Sequence, residues 1–374
     1  MKQKYQTISF IQPSRNNLKY LKWSYESIRK NLGYAHEICI ADDASTDGTA
    51  EWVLAQMKRD KNLKIHINKG PKRLGHTILY DTLINDYATN DVVMIYHADM
   101  YACPRLDEEV LKHIEPGVVV SGTRIEPPLH PDGPEKILKD FGIEPEEFDE
   151  LGLLEFLNHE VMNQYGTGIT TEGIFAPWAI LKSDWDYIGG HDPIFAPQSK
   201  EDSDIFNRFH LAGYKFKQTW GGFVYHMTCR GSRFKDGAMR NPAGKVFMKG
   251  RESSEWLRQN LKSTREFIRK WGHMVKHDKM MKPIVPPKYD VAFVAYNCTK
   301  EMLNELEPWC SKISELHDVC VEFDCNQLNA ENFQHLVNLS QIIEDSGEVG
   351  VSQLDIFKVY ISKLDTYENE LIRL

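Results

Sequence analysis

Acidic and imidazole side chains stand directly after short apolar runs at three places in this sequence. Asp42-Asp43 follows EICIA, His97-Ala98-Asp99 follows DVVMIY, and His226 follows FVY. Carboxylates and imidazoles can bind divalent cations or move protons. A fourth group, Glu201-Asp202-Ser203-Asp204, opens a segment with helical spacing. Each group alone has a structural explanation, since acids form turns after strands and isolated histidines are usually hydrogen-bonded core residues. Their common type and order make a shared site the hypothesis to test.

Strands and helices alternate over the first 120 residues, and this pattern should position the groups. Predicted strands span 7–11, 37–41, 63–67, 91–96 and 118–122, and predicted helices span 19–31, 48–59 and 76–87. The alternation predicts an α/β fold with a Rossmann-like, mainly parallel, doubly wound sheet. Ligands bind such sheets beyond the carboxyl ends of the strands, where the polar groups are expected.

The rest of the chain divides at a proline-rich segment. Residues 282–288 (KPIVPPK) are expected to link a domain of residues 1–281 to a small C-terminal α/β domain of residues 289–374. Further predicted elements are helices at 135–141, 145–164, 203–212, 252–271, 300–316, 329–343 and 352–372, and strands at 222–225, 290–296 and 319–323. The C-terminal domain carries no assignable motif, so acceptor binding, self-association and bracing of the first domain all stay open.

Composition excludes several classes of protein. The 374 residues carry a net charge of −9, which disfavours a general attraction to nucleic acid or anionic membranes. No stretch approaches the roughly 18 apolar residues of a transmembrane helix. The seven cysteines form no CxxC pair, which argues against a disulfide framework or a structural zinc site. We therefore expect a cytoplasmic protein with no integral membrane segment and no nucleic-acid partner.

The motifs resemble those of the family 2 glycosyltransferases of GT-A fold, over roughly residues 5–250. The turn from Asp42 to Thr49 (DDASTDGT) is similar to the acidic turn of that family, and His97-Ala98-Asp99 is similar to its Asp-x-Asp element. The segment from Gly189-Gly190 to Glu201-Asp202 is similar to its Gly-Gly…Glu-Asp region. The resemblance implies an inverting transfer of a hexose-type sugar from a nucleotide diphosphate sugar, a UDP-sugar by default, to a hydroxyl of a glycan or other acceptor.

The resemblance also implies a metal cofactor. It assigns a metal ligand to Asp99, with His226 as the expected imidazole ligand. A divalent cation stabilises the charge that develops on a leaving nucleoside diphosphate. Mg²⁺ prefers oxygen ligands and an imidazole favours Mn²⁺, so Mn²⁺ or Mg²⁺ is expected. His97 stands where many relatives carry Asp, and with Ala98 it is expected to contact the donor ribose or sugar.

Further residues are expected around the donor and the reaction centre. Those that should contact the nucleotide sugar follow the first three predicted strands; they are Pro13, Ser14, Arg15, Asp43 and Arg73. The resemblance assigns the catalytic base to Asp202, with Glu201 holding the acceptor or tuning Asp202. The alternatives are an exposed surface position for Arg15, a turn-forming role for Asp43 and a purely helix-stabilising role for Asp202.

Three features of the sequence leave alternatives open. The basic segment 227–251, with seven cations and one acid, is either a mobile loop that closes over the diphosphate or a solvated surface. Trp178 and Trp185 either stack on a sugar or pack in the core. The absence of the first Asp of the Asp-x-Asp element leaves one alternative function, a non-catalytic nucleotide-sugar or glycan-binding module of the same fold.

Overall fold

The computed structural model describes residues 4–161, 168–230, 237–250, 252–296, 299–316 and 356–357. The chain divides into two compact units. The first unit comprises Met1–Ser263 and Val275–Val285 and contains the candidate site, and the second comprises Thr264–Met274 and Pro286–Leu374. The linker predicted at 282–288 stays a prediction.

A ten-stranded sheet forms the centre of the first unit. Its strands are β1 (Ile8–Ser14), β2 (Glu37–Asp43), β3 (Leu63–Asn68), β4 (Val92–Ile95), β5 (Met100–Ala102), β6 (Val118–Glu126), β7 (Lys136–Leu138), β8 (Thr170–Thr171), β9 (Trp178–Leu181) and β10 (Lys215–His226). Their order across the sheet is β3-β2-β1-β4-β9-β6-β10-β5, with β7 paired to β6 and β8 to β10. A separate antiparallel pair consists of β11 (Ala238–Arg240) and β12 (Val246–Met248).

The carboxyl ends of six strands meet at one edge of this sheet. β3, β2, β1 and β4 pair in parallel. Since β9 is antiparallel to both β4 and β6, β6 points the same way as β4, and β10 is parallel to β6. After β4 the chain turns into β5, which pairs antiparallel to β10 with Met100 opposite His226. This pairing brings the turn at 97–99 to the end of β10.

The described residues of both units contain helices. They are α1 (Leu18–Asn31), α2 (Thr49–Met57), α3 (His76–Thr82), α4 (Leu106–Leu111), α5 (Glu150–Phe156), α6 (Lys182–Ile188), α7 (Glu201–Leu211), α8 (Ser254–Trp271) and α9 (Lys300–Leu306). Single π-helical turns, Leu83–Tyr87 and Leu157–Val161, continue α3 and α5. In the second unit, β13 (Ala292–Tyr296) pairs in parallel with β14 (Lys312–Leu316) and β15 (Ile356–Phe357).

The apolar pattern of the sequence explains the sheet. Every residue of β1, β2 and β6 is buried, as expected of strands that are covered on both faces. On α1, the residues Leu21, Tyr25 and Ile28 are buried and fall at helical spacing. The predicted α/β class and the mainly parallel sheet are confirmed. Within the described residues, no helix combines the length and the apolar character needed to cross a bilayer.

The predicted helix at 135–141 is wrong. Lys136–Leu138 forms β7, whose backbone pairs with Arg124–Glu126. The fifth strand continues to Glu126 instead of ending at residue 122, and its last backbone groups need hydrogen-bond partners. A short amphipathic window fits a strand as well as a helix, so the pairing with the longer strand decides.

The helix predicted at 300–316 is wrong beyond Leu306. A proline disfavours the helical conformation of the residue before it, and Pro308 follows closely. Residues Lys312–Leu316 form β14 instead. Inside the helix predicted at 352–372, Ile356–Phe357 is a strand. The remainder of that helix, and the elements predicted at 319–323 and 329–343, lie outside the described residues.

Candidate functional site

A cavity of about 760 Å³ lies where the six strands end. Every site residue predicted from the sequence lines it except Asp43; they are Pro13, Ser14, Arg15, Arg73, His97, Ala98, Asp99, Glu201, Asp202 and His226. Parallel strand direction explains this convergence, because β1, β4 and β10 all deliver their following residues to the same edge.

A cluster of possible metal ligands lies in the cavity wall. One ligand atom from each of His97, Asp99 and His226 lies within 4.8 Å of the other two. The Nε2 atom of His226 is 3.5 Å from Oδ1 of Asp99, and the His97 and His226 rings are 5.5 Å apart between centroids. Two imidazoles and one carboxylate form a donor set that suits a first-row divalent cation better than it suits Mg²⁺. The residues present therefore fit the expected metal.

Burial and neighbouring charges shift the pKa values of these three groups. Burial opposes ionisation of Asp99, but His226 and His97 outweigh it and lower the pKa of Asp99 to about 2. Burial would lower the pKa of His226, but the Asp99 and Glu126 carboxylates raise it to about 9. Burial and the neighbouring His226 lower the pKa of His97. Asp99 is thus held ionised, as a metal ligand must be.

Three further polar residues lie in or beside the cavity and were not predicted from the sequence as site residues. Glu126 accepts a hydrogen bond from Nδ1 of His226 at 2.8 Å, and Arg124 lines the cavity. His130 also lines the cavity, with Nε2 at 3.1 Å from Sγ of Cys229. Arg124 and Glu126 end β6, so extending the predicted fifth strand from residue 122 through TRIE would have brought them to the same edge.

Asp43 lies beside the cavity and organises the loop after β3. Its Oδ1 accepts hydrogen bonds from Asn68 Nδ2 and from the Leu74 backbone, at 2.8 and 2.9 Å. Its Oδ2 accepts one from the Gly75 backbone at 2.9 Å and lies 3.6 Å from Nε of Arg73. Arg73 also donates to Gln198 at 2.6 Å. The hydrogen bonds of Asp43 thus hold the loop at 68–75 and do not form the turn that follows Asp43 itself, and base recognition stays a prediction.

The second half of the DDASTDGT turn ties two loops together. The Ser45 hydroxyl accepts a hydrogen bond from the Asn16 backbone at 2.9 Å, and the Thr46 backbone donates to Asn16 Oδ1 at 2.7 Å. Asp47 accepts a hydrogen bond from the Leu18 backbone at 2.9 Å. These bonds hold the segment after β1, including the cavity residue Arg15, against the turn after β2.

Glu201 and Asp202 both line the cavity at the start of α7. Ser199 and Lys200, just before them, have left-handed backbone with φ of 78° and 73°, a strain that often accompanies functional sites. Glu201 is 8% exposed, and its Oε2 finds no hydrogen-bond partner among the described residues. Burial, and secondarily the charge of Asp202, raise the pKa of Glu201. Glu201 is therefore suited to donate a hydrogen bond as a neutral acid.

Asp204 and the two tryptophans have structural positions. Asp204 is fully buried and pairs with Arg208 at 3.0 Å one turn later on α7. Trp178 and Trp185 are 0% and 1% exposed, and their rings stack at 6.1 Å in the core. Neither ring lines the cavity, so core packing is the correct alternative for both.

The described part of the basic segment contributes one cation to the cavity. Arg230 lines the cavity with a side chain that is 1% exposed. Its Nη2 donates to the Ile143 carbonyl and lies 3.7 Å from Oε1 of Glu144, while Nε and Nη1 find no partner in the described part of the chain. Arg240 instead pairs with Asp140 outside the cavity. Residues 231–236 and 251 lie outside the described ranges, so loop closure stays a prediction.

Part of the chain is similar in sequence to a known family, and the fold is similar to solved structures. The model of the family described as Glycosyl transferase family 2 matches residues 9–170. No curated protein sequence matches the chain. The fold is similar to two solved structures, GalNAc-T7 with UDP, GalNAc and Mn²⁺ (12% identity, TM-score 0.43) and the mannosyltransferase PcManGT from Pyrobaculum calidifontis in complex with GDP-Man and Mn²⁺ (17% identity, TM-score 0.41).

The matched regions are partial on both sides. The first likeness covers 59% of this chain and 43% of the other, and the second covers 60% and 57%. The chain thus spans less than two thirds of either neighbour. The family match runs from β1 to the first residue of β8 and includes Asp43, His97 and Asp99. The match to the glycosyl transferase family 2 model thus covers residues 9–170, all of which lie within the first unit.

Proposed function

We propose that this protein transfers a hexose-type sugar, with inversion, from a nucleotide diphosphate sugar to a hydroxyl acceptor. The observation that carries the proposal is the cluster of His97, Asp99 and His226 in the wall of the cavity of a family 2 domain. UDP is the default nucleotide because of the family resemblance. The two solved neighbours hold UDP and GDP-Man, and the experiment below compares both nucleotides.

Asp99 and His226 are proposed to hold the divalent cation, with His97 as a third ligand or as a donor contact. The cation, when bound, neutralises the charge that develops on the leaving diphosphate. The imidazoles favour Mn²⁺ over Mg²⁺, and both solved neighbours contain Mn²⁺. Oδ1 of ionised Asp99 and Nε2 of His226 lie 3.5 Å apart, so a cation that displaces the Nε2 proton could be bound by both.

Arg230 is proposed to bind the diphosphate. Two of its guanidinium nitrogens lack partners among the described residues, and the side chain lines the same cavity as Asp99. A buried donor without a partner costs about 1–3 kcal/mol, and a phosphate oxygen would satisfy it. Pro13, Ser14, Arg15 and Arg73 are the proposed walls of the nucleotide subsite, and Oδ2 of Asp43, which accepts one hydrogen bond, retains one lone pair for a base N–H.

Asp202 is the proposed base that removes the acceptor proton. An inverting displacement needs a base on the face opposite the leaving group, and Asp202 lines the cavity from α7. The neighbouring Glu201, kept neutral by burial, is proposed to donate a hydrogen bond to a sugar hydroxyl. The two carboxyl groups thus have different roles because their environments differ.

The experiment is incubation of the full chain with a panel of UDP- and GDP-sugars and Mn²⁺, with and without acceptors, while nucleoside diphosphate release is measured. Wild type should release nucleoside diphosphate. Asp202→Asn should lose about 10²- to 10⁴-fold in rate, the usual contribution of a general base. Asp186→Asn, an exposed acid on α6 outside the cavity lining, is the matched control and should be unaffected.

Two outcomes would contradict this proposal. Donor binding by calorimetry without turnover on any acceptor would support a non-catalytic binding module instead. Full activity of Asp202→Asn would remove Asp202 as the base. A cytoplasmic location is also proposed, because the buried Cys39 and Cys103 form no disulfide and the cytosol keeps thiols reduced.

A further inference from the structure

His226 lies between two carboxylates that approach opposite nitrogens of its ring. Nε2 is 3.5 Å from Oδ1 of Asp99, and Nδ1 is 2.8 Å from Oε1 of Glu126. A neutral ring, as a metal ligand must be, that donates its proton from Nδ1 presents a free lone pair at Nε2. The contact with Glu126 thus fixes both the tautomer and the plane of the ring, with Nε2 toward Asp99.

Glu126 itself is placed away from the ligands. It is 1% exposed and is not among the residues that line the cavity. It is the last residue of β6, and its Oε1 lies 3.0 Å from Nη1 of Arg124. Its Oε2 lies 3.4 Å from Nζ of Lys136 on β7. Backbone pairing with β7 and β10 and two cations therefore hold the carboxylate in one position.

Burial of a charged carboxylate such as Glu126 costs free energy that an apolar side chain of similar volume would not cost. Transfer of a charged carboxylate from water into the protein interior costs several kcal/mol, and apolar residues of similar volume are often as stable or more stable in place of a buried ion pair. Packing alone therefore does not account for Glu126. Its contact with Nδ1 of a possible metal ligand does, because carboxylates commonly orient metal-binding histidines in this way.

We infer that Glu126 is a positioning residue for the cation site: it holds His226 with Nε2 toward Asp99 and the cavity, and so sets the affinity for the cation. The inference rests on the proposed function, since it requires that His226 bind a cation. Loss of such an orienting partner typically weakens metal binding by about 10- to 100-fold. Glu126→Gln keeps the volume of the side chain but removes the charge, and its amide can also turn its NH₂ toward Nδ1, which would favour the wrong tautomer.

The test is titration of Mn²⁺ alone into the full chain, with free Mn²⁺ measured by electron paramagnetic resonance. Glu126→Gln should weaken Mn²⁺ binding by about 10- to 100-fold relative to wild type. Glu135→Gln is the matched control, because Glu135 belongs to the same ion cluster, at 3.5 Å from Nη2 of Arg124, and has no described contact with His226. It should bind Mn²⁺ like wild type, and circular dichroism should show both variants folded.

The outcomes separate this inference from the proposed function. If wild type binds no Mn²⁺, the proposed cation site is wrong and the inference fails with it. If wild type binds Mn²⁺ and Glu126→Gln binds it equally well, only the role of Glu126 is wrong. An equal loss in Glu135→Gln would mean that disruption of the ion cluster, and not orientation of His226, is the cause.

A second measurement needs no variant of Glu126 and stays informative if that variant does not fold. In wild-type protein loaded with Zn²⁺, nitrogen-15 resonances of the His226 ring should show a proton on Nδ1 and metal on Nε2. The spectrum of His226→Gln identifies the resonances. Metal on Nδ1, or a ring proton on Nε2, would overturn the inference.

Discussion

Arg230 offers a sharp test of how the cavity recognises a diphosphate. Its side chain is 1% exposed, its Nη2 bonds the Ile143 carbonyl, and its Nε and Nη1 have no partner in the described part of the chain. Methionine has a similar length and no charge, so Arg230→Met removes the guanidinium with little change in volume. We expect weaker binding of nucleoside diphosphate and a nearly unchanged melting temperature.

The expected magnitude follows from the two unpaired nitrogens. Hydrogen bonds to charged groups contribute about 1.5–3 kcal/mol, and each 1.4 kcal/mol changes a dissociation constant about tenfold. One such bond to a phosphate oxygen means that Arg230→Met should weaken UDP or GDP binding by about 10- to 150-fold in the presence of Mn²⁺, and a second bond would increase the loss. Stability should change by about 1 kcal/mol or less, because loss of the bond to Ile143 is offset by removal of two buried donors without partners.

The assay is isothermal titration calorimetry with UDP and with GDP, each with Mn²⁺, paired with thermal unfolding. Arg240→Met is the matched control, because Arg240 lies in the same basic segment but pairs with Asp140 and Glu147. It should bind nucleotide like wild type. Wild-type affinity in Arg230→Met would refute the reasoning. An equal loss of affinity in Arg240→Met would also refute it, because it would indicate only a general effect of positive charge.

Three further outcomes are expected. Asp99→Asn should abolish the stimulation of transfer by Mn²⁺, measured as rate against metal concentration; undiminished stimulation would exclude Asp99 as a ligand. Burial raises the pKa of Glu201, so folding binds its proton more tightly and stability falls as pH rises through the raised pKa. The melting temperature of Glu201→Gln should therefore fall less than that of wild type between about pH 5 and pH 8, and an identical pH profile would contradict a neutral Glu201. Although burial opposes it, hydrogen bonds from Lys64, Ser9 and Thr89 lower the pKa of Glu37 to about 2. The resulting stability is present above the usual carboxyl pKa of 4.5 and is lost as pH falls toward 2, so Glu37→Gln should flatten the melting temperature over that range, and an unchanged slope would count against this account.

Local sequence predicted the strands that carry the site. The apolar runs before Asp42, His97 and His226 are strands in the structure, and the acids and imidazoles that follow them meet at one edge. Strand direction made this convergence predictable, because parallel strands share a carboxyl edge. The helix at Glu201 also begins where the acidic cluster indicated.

The residues that the sequence did not reveal depend on contacts between distant segments. The strand at 118–122 was predicted too short, so Arg124 and Glu126 were not considered. Their role becomes visible only when β6 pairs with β7 and β10. The sequence likewise contains seven similar cations between residues 227 and 251. Only their burial in the structure distinguishes Arg230, in the cavity wall, from Arg240, which forms an ion pair outside the cavity.

Asp43 shows the same limit within a recognised motif. Its type and its position at the end of a strand were predicted from the sequence. Its carboxylate, however, accepts hydrogen bonds from three N–H groups of the loop at 68–75, more than 20 residues away along the chain. Residue order thus determined which chemical groups stand at strand ends. The tertiary structure decided which of their atoms remain free for a ligand, because hydrogen-bond partners and burial come from segments that are far apart along the chain.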